Sequence, residues 1–104
     1  MNWIELTTEE QFEQIWKNSE QDAQYIFKHS TRCGISRMAL KKLENSIASL
    51  DQNVYIIDLL QFRNISNLVA LKCNVVHQSP QLIVLKNRAV IYNNSHDAIE
   101  FKSF

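Results

Sequence analysis

The sequence predicts an α/β domain: a mixed central sheet of four to five strands with helices on both faces. Three observations carry this reading. Apolar runs of strand length alternate with segments of helical period through residue 75. Two further apolar runs close the chain around a polar centre at Asn87-Arg88. The 104 residues, 45% of them apolar, suffice for one core and predict a single domain over 1–104. A strand–helix–strand passage gives parallel neighbours and a closing hairpin adds antiparallel ones, so the sheet is mixed.

Taken in order, Trp3 and Ile4 are expected in a short edge strand. Thr7 followed by Glu10 reads as a capping box, and Phe12, Ile15 and Trp16 place a helix over 8–19. "QYIFKHS" (24–30) is a short buried strand. Leu40, Leu43, Ile47 and Leu50 recur at three- and four-residue steps, which predicts a helix over 34–50 with Lys41, Lys42, Glu44 and Asn45 on its wet face. "NVYIIDL" (53–59) is β-branched and apolar, hence a second buried strand. "NISNLVALKCN" (64–74) reads as a shorter helix with Leu68, Leu71 and Val75 inward. "QLIVLKNRAVIY" (81–92) is a hairpin without the usual Asn-Gly turn. Ser95 is placed to cap a last helix, "SHDAIEFKSF", with Asp97 in its first turn and Ile99 on its apolar side.

Charge narrows the function. Lys+Arg and Asp+Glu both total 11, so the net charge is zero, which argues against a nucleic-acid binder. Around Cys33, however, Lys28, Arg32, Arg37, Lys41 and Lys42 meet no acidic residue between Asp22 and Glu44. That neighbourhood suits a small anionic ligand. No apolar run reaches the length of a membrane span and "MNWIELTTEE" is no signal peptide, so no membrane partner and a cytoplasmic location are expected. Two cysteines 40 residues apart form neither a disulfide framework nor a metal site.

The chain's only glycine, Gly34, follows Cys33 where a strand gives way to a helix. A cysteine at a helix start meets unpaired N–H groups and the positive end of the dipole, both favouring thiolate. Arg32 and Arg37 add charge that does not titrate. Gly34 leaves room beside the sulfur, and the N–H and hydroxyl of Ser36 can point back at it. The plainer reading is a small buried cysteine at a turn that glycine eases. Pro80, the only proline, opens the strand 81–86. It is either an ordinary turn proline or the site of a cis Ser79–Pro80 bond.

A reactive cysteine at the second helix with a proline opening the hairpin resembles the thioredoxin fold over essentially the whole chain. In that superfamily the proline is cis and packs on the active cysteine, which implies the same of Pro80 and Cys33. More narrowly, "FKHSTRCGIS", "HQSPQ" and a "SH" before the last helix are similar to the bacilliredoxin-like YtxJ family of bacillithiol redox proteins. Many members carry Pro at the position of Gly34 and Thr at that of Arg32, departures that leave thiol chemistry intact. The resemblance implies a redox-active Cys33 supported by Thr31, Arg32, Gly34, Ser36, Ser79 and Pro80. It implies bacillithiol as co-substrate, with no tightly bound cofactor. Lys28, Arg37, Lys41, Ser95 and His96 are candidate contacts for that thiol's carboxylates, the last two through free N–H groups at a helix start. The N–H of Gln78 or Ser79 is a candidate partner for its peptide-like portion.

Ser36 stands where a dithiol oxidoreductase has its second cysteine, so monothiol exchange is what remains. Cys33 then attacks a client protein's mixed disulfide, takes the small thiol onto itself, and a second thiol releases it. Cys73 is either a buried structural thiol or a resolving one. "CGIS" also resembles the "CGFS" of monothiol glutaredoxins, which use glutathione and bind an iron–sulfur cluster. Their Gly-Gly before the last helix is replaced here by Asn93-Asn94-Ser95. A non-enzymatic thioredoxin-like binding module is the remaining alternative. A monomer acting on S-thiolated client proteins is expected, with Trp3, Trp16 and Phe104 as either core or contact residues.

Overall fold

Five strands form one sheet in the order β1-β3-β2-β4-β5, in a computed structural model that describes residues 2–30, 34–47, 52–99 and 104. The elements run β1 (Asn2–Glu5), α1 (Glu9–Asn18), β2 (Gln24–His29), α2 (Gly34–Ile47), β3 (Asn53–Asp58), α3 (Arg63–Cys73), β4 (Gln81–Lys86) and β5 (Ala89–Ser95). β1 and β2 pair parallel with β3, whereas β2–β4 and β4–β5 are antiparallel. The mixed sheet is the one the sequence predicts, edge strand included.

Alternation along the central strands sorts the core into two faces. Ile26, Ile57, Ile83 and Leu85 pack with Phe12 and Ile15 of α1 and Ile65, Val69 and Cys73 of α3. Tyr25, Phe27, Val54, Leu82 and Val84 form the other face, against which Leu40 of α2 packs. Helices therefore cover both sides. The aromatic residues at the core edges are packed within the chain: Trp3 lies 6.2 Å from Phe27, Trp16 6.1 Å from Phe12, and Phe104 4.5 Å from Tyr92 between ring centroids. Among the described residues no helix is long and apolar enough to cross a membrane.

Four local expectations change. The N-cap of α1 is Thr8, whose Oγ1 accepts from Gln11 N–H at 3.2 Å, rather than Thr7 with Glu10. Gln11 displaces Glu10 because its amide works in both directions: Oε1 accepts from Thr7 N–H and Nε2 donates to Glu5 O at 2.7 Å. A carboxylate can only accept. In α3 the buried face is Ile65, Ser66, Val69 and Cys73, while Leu71 is 78% exposed. The i, i+4, i+8 row at 65, 69 and 73 faces the sheet, turning the predicted Leu71 out and leaving Leu68 and Val75 half-buried. Asn74 then stops α3 in a left-handed conformation, with φ 54°. The expected last helix is, where described, a single 3-10 turn over His96–Ala98; Ile99 is extended and buried. Ser95 makes no side-chain cap there, and residues 100–103 of that predicted helix lie outside the described residues, as does Leu50 of the second.

The hairpin turn resolves as Asn87 and Arg88, both left-handed at φ 54° and 57°. Two positive-φ residues match the twist of the flanking strands, a role usually given to Asn-Gly. Here the C-terminus of α1 holds the turn in place of glycine. Asn87 N–H donates to Ser19 O at 2.7 Å, and Arg88 N–H donates to Ser19 Oγ at 2.9 Å. That hydroxyl in turn donates to Trp16 O at 2.6 Å. Beyond the turn, Leu85 pairs with Val90 and Val84 with Tyr92, so Ile91 is the extra residue of a bulge in β5.

Ser19 is fully buried. Ser19→Ala should cost about 1–3 kcal/mol by leaving the turn's N–H without its acceptor. Arg88→Ala, which removes only an exposed ion pair to Glu20, should cost under about 1 kcal/mol. Urea midpoints at unchanged slope measure both.

Candidate active site

β2 leads into the predicted cysteine loop and α2 leads out of it. Thr31, Arg32 and Cys33 lie outside the described residues; Ser30 and Gly34 flank them. α2 begins at Gly34, so the residue that precedes the helix in the chain is Cys33, as expected. Gly34 has no positive φ, and among the described residues a Cβ there would meet Arg37 Nη2, at 3.8 Å. A positive φ therefore does not require glycine at this position. The same distance places the Arg37 guanidinium over the first turn of α2, which also carries Ser36. Lys41 is exposed one turn further along.

The Ser79–Pro80 peptide is cis. Pro80 is buried, and its carbonyl accepts from His96 N–H at 3.1 Å. That bond corrects one expectation. The His96 N–H is committed to the protein and does not offer a free donor to an anion. Ser95 ends β5 opposite Gln81 and makes no cap. Of the two candidate donors before Pro80, Gln78 N–H is engaged by Gln81 Oε1 at 3.3 Å. Ser79 Oγ is buried and has no hydrogen-bond partner among the described residues.

Lys28 is the largest departure. Alternation with Ile26 turns it onto the α3 face, where it is fully buried rather than displayed to a ligand. Its Nζ donates to Ser66 O at 3.0 Å and lies 3.0 Å from His77 Nδ1, which Ser66 Oγ also approaches at 3.3 Å. Burial pushes the Lys28 ammonium down from 10.5 to about 8, with a weaker opposing pull from Cys73. Burial likewise pushes the Cys73 thiol up to about 11, Lys28 drawing it back in part. The His77 imidazole is lowered by burial and then by the charges of Lys28 and Arg63. A thiol with its pKa raised in this way is a poor nucleophile, and Cys73 is free and buried.

A cleft of about 140 Å³ opens at the carboxyl ends of the parallel strands, lined by Glu5, Thr7, His29, Ile56, Asp58 and Phe62. His29 stacks on Phe27 with ring centroids 6.1 Å apart. Among the described residues no cluster of His, Cys, Asp or Glu could hold a metal ion.

The profile of the monothiol bacilliredoxin BrxC family matches residues 4–104. The chain belongs to this family. Its activity is thus monothiol thiol–disulfide exchange, and it is an oxidoreductase acting on thiolated proteins with a small thiol. The fold agrees: a solved structure described as a candidate oxidoreductase with a thioredoxin fold is 31% identical, with TM-score 0.85 over 95% of this chain and 87% of that one. The thioredoxin of Malassezia sympodialis shares 18% identity, with TM-score 0.71 over 92% and 79% of the two chains. A reduced Schistosoma mansoni thioredoxin pre-protein shares 16%, with TM-score 0.70 over 94% and 89%. These two show the architecture alone.

What sequence reasoning did not reveal is the buried hydrogen bonding of Gln81, His77 and Ser66. Gln81 follows Pro80 and alternates with Ile83 and Leu85 of the buried face, which is the signal that a polar side chain there must find partners.

The Lys28 shift has a pH consequence. With a folded pKa of about 8 below 10.5, the unfolded chain binds more protons between those values, so stability rises with pH across that window. Cys73, raised from 9.0 to about 11, acts oppositely: its contribution falls as pH rises between those values. In a Cys73→Ser background the rise should be visible by urea unfolding from pH 7.5 to 10, and Lys28→Met should flatten it. Native Cys73 should also resist iodoacetamide at neutral pH, by mass spectrometry, until the chain is unfolded.

Proposed function

We propose that Cys33 is the exchanging thiol and that the protein removes bacillithiol from S-bacillithiolated cytosolic proteins. The observation that carries this reading is the family match over 4–104, which spans Cys33, Gly34 and Pro80 together. The Cys33 thiolate attacks the bacillithiol sulfur of the client's mixed disulfide. A new S–S bond forms as the old one breaks, and the client sulfur leaves as thiolate and takes a proton from solvent. A second low-molecular-weight thiol then attacks Cys33–S–S–bacillithiol, releasing a small-molecule disulfide and restoring the Cys33 thiol.

The other residues support attack and grip. Arg32 and the start of α2 favour the thiolate, Thr31 and Ser36 offer hydroxyls beside it, and Gly34 leaves the approach open. Ser79 N–H pairs with the incoming thiol's amide. Arg37, with Ser95 and His96 across the site, meets the carboxylates; for His96 the ring rather than the backbone is the available part. Cys73 takes no part in the first step, because its thiol is buried and protonated. The protein works as a monomer in the cytosol.

Purified protein offered bacillithiol and glutathione mixed disulfides separately should take up the former, read as a mass adduct on Cys33. Uptake of glutathione alone would shift the reading to glutaredoxin chemistry, and uptake of neither would overturn it. Cys33→Ser should abolish the adduct and Cys73→Ser should leave it unchanged. Gly34→Val should slow transfer from protein mixed disulfides more than reaction with iodoacetamide, because it narrows the approach without touching the thiol.

A further inference from the structure

Lys28 and Gln81 stand opposite one another on the β2–β4 ladder, so their side chains share a face. Both are buried polar groups, at 0% and 1% exposure, at the end of a face otherwise apolar. Both reach into the segment that precedes Pro80. Lys28 Nζ meets His77 Nδ1 at 3.0 Å. Gln81 Nε2 donates to Val76 O at 3.0 Å and to Asn93 Oδ1 at 2.8 Å, while its Oε1 accepts from Gln78 N–H at 3.3 Å. Pro80 O is held by His96 N–H at 3.1 Å. Val76, His77, Gln78 and Pro80 are thus each tied to a named partner. Ser79 alone in this run carries a buried hydroxyl with no partner.

From this geometry we propose that Lys28 and Gln81 form a buried cross-strand clamp that positions the 76–80 segment and so presents Ser79 to the substrate. The two are positioning residues, acting through the loop that they hold. The inference rests on the exchange reaction proposed above, in which Ser79 pairs with the incoming thiol. A buried ammonium and a buried amide are costly without partners and well placed with them. The loop supplies those partners, so the groups that the fold must satisfy are the same ones that hold the loop still. His77 is the link that makes this specific. With Lys28 donating to Nδ1, the neutral ring carries its proton on Nε2.

The test combines spectroscopy on the wild-type protein with a double-mutant cycle. Nitrogen-15 spectra of wild-type protein at pH 7 should show His77 as the Nε2–H tautomer; an Nδ1–H tautomer would overturn the clamp. In transfer from a peptide–bacillithiol mixed disulfide, Lys28→Met and His77→Phe should each raise KM about tenfold, the loss of one charge-assisted hydrogen bond, with kcat and the Cys33 alkylation rate little changed. The double variant should be no worse than the worse single variant, because both remove one contact. KM values within twofold of wild type in both single variants, or losses that multiply in the double, would refute the proposal. Should Lys28→Met not fold, Gln81→Met takes its place as a single variant with the same expected rise in KM, and KM values within twofold of wild type in both Gln81→Met and His77→Phe would refute the proposal. Wild-type protein that transfers nothing would refute the exchange reading itself, while the tautomer still decides the clamp.

Discussion

The antiparallel pairing of β2 with β4 is the constraint on which the rest depends. It sets the strand that leads toward Cys33 beside the strand that Pro80 opens, so Lys28 and Gln81, 53 positions apart in the chain, are partners at one end of the sheet. The pairs Ile26–Ile83 and Phe27–Leu82 fix that register from opposite faces. A slip of one residue would exchange the faces of every side chain on a strand and bury the wrong set. Register here is thus specified twice, once by each half of the core.

That register also explains an otherwise awkward feature of the chain. A buried lysine is expensive, and desolvation lowers the Lys28 ammonium from 10.5 to about 8. The molecule tolerates this because α3 exposes a backbone carbonyl at Ser66 and the loop after α3 returns an imidazole at His77. The basic neighbourhood of Cys33 is correspondingly smaller than the sequence suggests. Of its described members, Arg37, Lys41 and Lys42 are exposed on α2, whereas Lys28 faces inward.

Most of the architecture was legible because its signals are local. The apolar runs, the single proline and the placement of Gly34 beside Cys33 each report on a few neighbouring residues. What misled depended on choices that local pattern cannot make. Thr7 and Thr8 are equally good caps until Glu5 O is in place for Gln11 to reach. Leu71 fits a helical stripe as well as Val69 does until the sheet selects one. The 3-10 turn at His96 follows from a left-handed residue, φ 53°, whose N–H is drawn to Pro80 O, a partner distant in sequence. At the site, residue types and order were readable whereas engagement was not. Nothing in "HQSPQ" reveals that the first glutamine's N–H is already taken by the second.

The bulge at Ile91 has a consequence for the sheet's outer boundary. A straight edge strand offers a row of donors and acceptors on which another chain can grow, the usual route to fibrous aggregates. Here β5 loses that regularity where Ile91 is inserted, and the opposite edge, β1, is only four residues long. An incoming strand would find a short template on one side and an interrupted one on the other. The five-stranded sheet therefore limits lateral growth by its own irregularities.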